Sequence, residues 1–261
     1  MPDTASTSRF YDELADDYHL IYADWEVSLR RQGAALDALI GRERAAVLDC
    51  ACGIGTQALG LALRGHRVVG TDVSARAVAR AGREAGRLGA ELATAVADMR
   101  QLPFPADRFD AVVCADNALP HLLTERAALA EMRRVLRPGG RLLVSTRAYD
   151  DLLRERPAST PPQVHAAADG TGRSVSFQLW HWREDGEHYD LEHFQLRPAR
   201  GEGRGPGEWR VRVRPASYWA LGRDRLAGFA AAEGFADIVW LMPEQTGFFQ
   251  PLLAARAVAA D

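Results

Sequence analysis

Apolar positions recur along this chain in two rhythms, and the change of rhythm divides it. From residue 7 to about 44, in "FYDELADDYHLIYADWEVSLRRQGAALDALI", apolar residues return at helical spacing with an interruption near Tyr18 to Asp24. That pattern predicts two helices joined by an aromatic elbow. From 46 to about 147, short apolar runs alternate with helical stretches, the arrangement of a parallel sheet with crossover helices. The predicted strands are 46–49, 67–71, 92–97, 109–115 and 141–146. Helices are predicted at 56–65, 74–89 and 125–140, the last two closed by Gly89 and by Pro138-Gly139-Gly140.

A Pro/Ala/Gly-rich stretch at 156–172 reads as a loop, after which the rhythm becomes strict alternation. "VSFQLWHW" and "EHYDLEHFQL" flank the hairpin signal Asp185-Gly186, and "EWRVRVR" follows the flexible "ARGEGRGPG" as a third antiparallel strand. Alternation puts Trp180 and Trp182 on one face and Val175, Phe177 and Leu179 on the other. Both faces are apolar, so this platform, expected to carry Trp209 and Trp219 as well, needs cover from the N-terminal helices, a substrate or a homodimer partner. A helix at 223–234 and strands at 236–241 and 248–258 return to the first sheet. The expected division is 1–44, a helical lid; 45–150, an α/β core; 151–222, a loop and antiparallel β insertion; and 223–261, closing elements of the core.

Composition narrows the function. With 261 residues, 47% hydrophobic and 26% charged, the chain can bury a full core. A net charge of −3 gives no basic footprint, and no apolar run approaches the roughly 20 residues that cross a membrane, so neither nucleic acid nor membrane is an expected partner. The polar opening "MPDTASTSRF" lacks a secretory pattern, and a cytoplasmic location is expected. Cys50, Cys52 and Cys114 have no zinc or redox spacing and read as small hydrophobes. All 32 basic residues are arginine. The absence of lysine removes P-loop, pyridoxal and Schiff-base chemistry.

"VLDCACGIGTQ" is the most informative stretch. A strand ending in Asp49, then Ala51, Gly53, Gly55 and a helix, brings backbone N–H groups against a ligand, and Asp72 ends the next strand where an acid accepts ribose hydroxyls. Asp98, just past the third strand beside Met99, suits an adenine edge and face, or else caps a helix.

Together, "VLDCACGIGTQALGLA", "VVGTDVS", "ADMRQLPFPADRFDAVVCADNALPH" and "VLRPGGRLLVSTRAYD" resemble the ordered motifs of class I S-adenosylmethionine-dependent methyltransferases over about residues 45 to 150. Ala51, "DNALPH" and "RAYD" look most like the glycine/sarcosine N-methyltransferase group, and related small-molecule enzymes of secondary metabolism share some of these features. The resemblance implies a Rossmann-like α/β fold, a mostly parallel seven-stranded sheet with a reversed last strand. It implies S-adenosylmethionine as cofactor, with Asp49, Ala51, Gly53 and Gly55 at its methionine end, Asp72 on the ribose, Asp98 and Met99 at the adenine, and Ala115 near the sulfonium. Arg30 or Arg31 is expected on the methionine carboxylate or on a solvated helix face.

Methyl transfer needs an aligned acceptor lone pair and a proton acceptor, with no covalent nucleophile. His121, beyond the fourth strand just after Asn117, is the candidate base. Arg147 matches the arginine that the N-methyltransferase group uses for its substrate's carboxylate, with a structural ion pair as its other reading. Tyr18, Tyr22 and Trp25 form either a lid over the acceptor or ordinary core. His181, His188 and His193 with Glu192 read as hairpin positions, and no metal is expected. The expected reaction is N-methylation of a small amino-acid-like amine. The alternatives are C- or O-methylation of an indole- or phenol-like ring with His121 and Tyr22 drawing off the proton, a nicotinamide-dependent dehydrogenase, and a non-catalytic binding protein.

Overall fold

The structure, a computed structural model, describes residues 4–122, 126–166, 173–199 and 208–258. Helix α1 (Thr4–Leu14), a 3-10 turn (Tyr18–Ile21) and α2 (Trp25–Ile40) precede the first strand. Then follow β1 (Ala46–Asp49), α3 (Thr56–Ala62), β2 (Arg67–Asp72), α4 (Ala75–Leu88), β3 (Leu92–Val96) and β4 (Phe109–Cys114). A 3-10 turn (Leu119–Leu122), α5 (Ala127–Val135), β5 (Leu136–Ser145) and α6 (Tyr149–Glu155) lead out of this half. The remainder is β6 (Gln163–Ala166), β7 (Arg173–Trp182), β8 (His188–Pro198), β9 (Trp209–Trp219), α7 (Arg223–Ala232), β10 (Phe235–Leu241), α8 (Pro243–Thr246) and β11 (Leu252–Ala257).

Seven strands form one sheet in the order β10-β11-β5-β4-β1-β2-β3, with β11 antiparallel to both its neighbours and the rest parallel. Every residue of β1 and β4 is buried, as central strands covered by helices on both faces require. Alternate residues serve opposite cores. Leu48, Val112 and Cys114 pack with Met132 and Leu226, while Val47, Ala111 and Val113 pack with Leu36, Ile40 and Leu61. Each such fully buried aliphatic contributes about 1.5–3 kcal/mol. Local signals set the helix ends: Asp24 accepts the Val27 N–H before α2, and Ser74 accepts the Ala77 N–H before α4.

Four strands form a second, antiparallel sheet in the order β6-β7-β8-β9. Its inner face stacks Trp180 on Tyr189 at 4.6 Å and Tyr189 on Tyr218 at 5.3 Å, and on the other face Phe177 stacks on Phe194 at 4.8 Å. All four expected tryptophans lie in this sheet, but Trp180 and Trp182 share its inner face while Trp209 and Trp219 point from the opposite one. Trp219 packs into the main core against Phe229, and Trp209 is exposed at the edge.

Helix α1 bridges the two sheets. Asp12 accepts from Ser74 Oγ at 2.6 Å and from the Arg76 N–H at 3.0 Å, and the buried Arg214 of β9 donates to the Glu13 carbonyl. Asp17, just past α1, pairs with Arg197 at 2.7 Å.

Two expectations are corrected. The helix expected at 125–140 stops at Val135, because Leu136 already pairs with Phe109 in the sheet. Part of the expected 156–172 loop is β6, an edge strand recruited by pairing Gln163 to Ser176 and Ala166 to Arg173. Residues 167–172 of that loop and 200–207 of the expected flexible stretch lie outside the described residues.

Candidate active site

The first cleft opens at the carboxyl ends of β1, β2 and β4, where the chain past β1 is pinned to its neighbours: Cys50 N–H donates to the Val113 carbonyl and Cys52 N–H to that of Thr71. Gly53 at φ +52° and Gly55 at φ +94° turn this loop into α3. A Cβ on Gly53 would meet nothing within 4 Å, so the glycine is needed for its dihedral, and the space beside it belongs to the cleft. The Gly53 N–H donates to Asp72 Oδ2 at 2.9 Å, and Asp72 Oδ1 accepts the Ser74 N–H at 2.9 Å. Ala51, Asp98, Met99 and Ala115 complete the cleft.

Its electrostatics favour a ligand rich in positive charge and hydroxyl donors. Asp49 is buried, accepts one bond from the Ala51 N–H at 3.3 Å, and leaves Oδ2 with no partner. Burial pushes its carboxyl up to about 7. Burial also raises Asp72, against the pull of the Ser74 and Gly53 N–H groups. Asp98 reaches the cleft with its oxygens already engaged by the Arg100 guanidinium, at 2.6 Å to Nη2. An open glycine loop and an acid ending β2 suit the backbone contacts and ribose hydroxyls of S-adenosylmethionine, and the orphaned Asp49 oxygen, buried behind the lining residue Ala51, offers a negative charge toward its ammonium, so the residues present fit that cofactor.

A second chamber adjoins the first, sharing Tyr11, Tyr18 and Asp116 with it. Its far wall is the antiparallel sheet, through Gln178, Trp180, His193 and Tyr218. Arg147, just past β5, enters from below. Its guanidinium donates to Tyr189 Oη at 2.8 Å and Gln178 Oε1 at 3.2 Å and lies over the rings of Trp180 and Tyr218 at 4.8 and 5.2 Å. Burial works against this charge and the oxygens of Tyr189, Tyr149 and Tyr218 offset it; no carboxylate among the described residues pairs with it. His193 Nε2 is buried in the chamber wall without a partner, and burial pulls that ring down to about 4.

Several expected residues stand elsewhere or with other partners. His121 lines the first cleft, but its Nε2 is 2.8 Å from the hydroxyl of Tyr11, not Tyr22, and burial with Arg147 nearby pulls its ring down to about 3. Tyr22 and Tyr18 instead donate to Asp116 Oδ2, at 3.2 and 2.8 Å. Asn117 lines the second chamber and accepts the Arg147 N–H at 3.1 Å. Trp25 touches neither space. It is core between the lid and α4, with Nε1 donating to Thr56 Oγ1 at 2.9 Å. Arg31 lies on the second chamber rather than the first, and Arg30 is exposed beside Glu26. The hairpin histidines part company: His181 faces Glu192, His188 faces Asp185, and His193 points inward.

Sequence reasoning passed over Tyr11, Tyr218 and Asp116. Only Asp116 had a legible signal, an Asp-Asn pair without glycine directly after a strand; both residues adopt left-handed φ, +56° and +63°. Asp and Asn tolerate that region better than other side chains.

Comparisons with known proteins agree with this geometry. Residues 47–140 match a family described as a methyltransferase domain. The chain is 37% identical over 145 residues to a demethylmenaquinone methyltransferase of Beutenbergia cavernae, covering 55% of this chain and 58% of that one. It is 38% identical over 135 residues to a glycine/sarcosine N-methyltransferase of Parasynechococcus marenigrum, covering 50% and 48%. The chain thus spans about half the length of the curated relatives it matches. In fold it resembles the SAM-bound structure of an amino pentose methyltransferase from Micromonospora echinaspora involved in calicheamicin biosynthesis. The TM-score is 0.64 at 22% identity, over 97% of this chain and 95% of that one.

Proposed function

We propose that this chain, whose residues 47–140 form a class I S-adenosylmethionine-dependent methyltransferase domain, methylates the nitrogen of a small amine that also carries an anionic group. The carrying observation is Arg147: a half-buried guanidinium on the second chamber whose hydrogen-bond partners and stacking faces are all neutral oxygens and aromatic rings. Burying a cation without an anion is costly, and its planar fork matches a carboxylate. An acceptor whose carboxylate meets Arg147 removes that cost.

When bound, the cofactor supplies an electrophilic methyl on sulfur. In this reading Asp72 holds the ribose hydroxyls, Asp98 and Met99 take the adenine, and the Ala51–Ile54 loop takes the methionine end, with Asp49 and Gly55, neither of which lines the cleft, acting from behind that loop. Ala115 lines the cofactor cleft, and Asp116 next to it stands where the two spaces meet. Tyr11, Tyr18 and the second sheet keep water from the acceptor, which matters because displacement at an activated methyl asks the protein mainly for alignment and dryness.

A second reading has support in the demethylmenaquinone relative and in the aromatic residues Phe10, Trp180 and Phe249 lining the chamber: carbon or oxygen methylation of an aromatic acceptor. Matched acceptors separate the two. Paired α-amino acids and their decarboxylated amines, assayed with wild type and Arg147→Met, should show KM rising at least tenfold for the acids alone. Equal effects on both members of each pair, or turnover of phenols and indoles only, contradict the amine reading.

A further inference from the structure

Asp116 is the one acid among the described residues lining the second chamber, and it also lines the first cleft. It follows Ala115 at the end of β4, and its N–H is fixed by Ser145 Oγ at 2.8 Å. One carboxylate oxygen, Oδ2, takes both phenol hydroxyls of the elbow, from Tyr18 at 2.8 Å and Tyr22 at 3.2 Å. Among the described residues no donor reaches Oδ1. Two consecutive non-glycine residues in left-handed backbone, Asp116 and Asn117, aim this turn. Conformations of that kind persist where surrounding structure holds them and gather at functional sites. Asp116 and Arg147 therefore offer opposite charges to one chamber.

We propose that Asp116 Oδ1 receives the acceptor's ammonium and takes its proton, leaving the nitrogen lone pair free. This rests on the amine reading above and names the group that activates the acceptor. In the step, one N–H bond of the ammonium breaks, its electron pair stays on nitrogen, and the proton bonds Oδ1. The carboxylate becomes a neutral carboxyl and later yields the proton to water, which accounts for the one proton that N-methylation releases. Tyr18 and Tyr22, both driven to higher pKa first by burial, remain neutral donors that hold the carboxylate in place. The charged and titratable groups facing Asp116 are Tyr18 and Tyr22 of the elbow, Tyr11 of α1, Tyr218 of β9 and Arg147 past β5. Burial raises the Asp116 carboxyl while the two phenols and Arg147 restrain it, a direction that suits a proton acceptor.

His121 is poorly suited to this role. Its Nε2 is held by Tyr11 and its ring is pulled down to about 3.

The test is Asp116→Asn, chosen because Asn adopts left-handed backbone as readily as Asp and still accepts from Tyr18. A panel of primary amines with methyl-labelled S-adenosylmethionine comes first. No transfer to any amine by wild type contradicts the amine reading and this proposal with it. Given an active amine, Asp116→Asn should lower kcat about 10²–10⁴-fold. Calorimetry with S-adenosylhomocysteine should show cofactor affinity within threefold of wild type. Calorimetric titration of that amine into the S-adenosylhomocysteine complex, in two buffers of different ionisation enthalpy, should show about one proton released to solvent on binding, the ammonium proton leaving by way of Oδ1, and Asp116→Asn should abolish that release. Retained kcat, or a proton change identical in wild type and variant, overturns the role of Asp116 while leaving the amine reading intact.

Discussion

The Tyr11 hydroxyl lies 2.8 Å from His121 Nε2, and the His121 ring sits 4.1 Å from that of Tyr218. This contact joins α1, the turn after β4 and the last strand of the second sheet at the edge of the cofactor cleft. Burial keeps the His121 ring neutral, so its bond to the Tyr11 hydroxyl works as an uncharged clasp on the lid.

Tyr11→Phe and His121→Ala should each weaken S-adenosylhomocysteine binding about threefold to tenfold, the scale of one hydrogen bond. The double variant should lose little more than either single one, a coupling of about 1 kcal/mol by double-mutant cycle. Fully additive losses in calorimetry contradict the clasp.

His193 gives a pH dependence of definite sign. Its folded pKa is about 4, lowered by burial and by Arg214 and Arg147, against about 6.5 unfolded. Above 6.5 the ring is neutral in both states and contributes no slope. Between 6.5 and 4 the unfolded chain takes up a proton that the folded chain refuses, so stability falls with falling pH. His193→Gln should therefore gain on wild type as pH drops from 7 to 5, approaching about 1.4 kcal/mol per unit. Urea unfolding of both proteins at the two pH values measures it, and a constant difference contradicts it.

Asp49 links cofactor binding to pH in the same direction. Its carboxyl, raised by burial to about 7, holds a proton below that pH in the free protein, and an ammonium group placed against it favours the ionised form. Affinity for S-adenosylhomocysteine should fall as pH drops below about 7, by up to tenfold per unit, with one proton released on binding. Asp49→Asn should flatten this dependence.

Gly33 of α2 meets Gly60 of α3 so closely that a Cβ on Gly33 would lie 2.5 Å from Gly60 backbone, and one on Gly60 would lie 2.5 Å from the Leu29 carbonyl oxygen. Gly33→Ala should cost about 1–3 kcal/mol or more of stability, since neither helix backbone can yield cheaply. An unchanged urea midpoint contradicts this packing.

The central sheet was legible because β1 and β4 are short, mostly apolar runs, broken only by Asp49 and Asp110, and the end of α4 because Gly89 follows it in left-handed backbone. Leu136–Gly140 was not, since only tertiary pairing with Phe109 makes it strand. Edge strand β6 was hidden for the same reason, its residues being ordered by β7 rather than by their own pattern. At the candidate site, Asp49, Gly53 and Asp72 announce themselves through strand ends and glycine spacing. The pairing of Tyr11 with His121, 110 residues apart, and of Tyr18 with Asp116, 98 apart, depends on how α1 and the elbow fold back over the sheet. Trp25 shows the same limit: in sequence it belongs with the elbow aromatics, yet its ring packs under the lid beside Arg80.

The most direct measurement of the central claim is transfer of a ¹³C-labelled methyl from S-adenosylmethionine to a mixed panel of amino acids, simple amines, phenols and indoles, with the product's methyl position read by NMR and mass. The account predicts label on the nitrogen of an amine that carries an anionic group, with turnover lost in Asp116→Asn and KM raised in Arg147→Met. Label on ring carbon or on oxygen would contradict it.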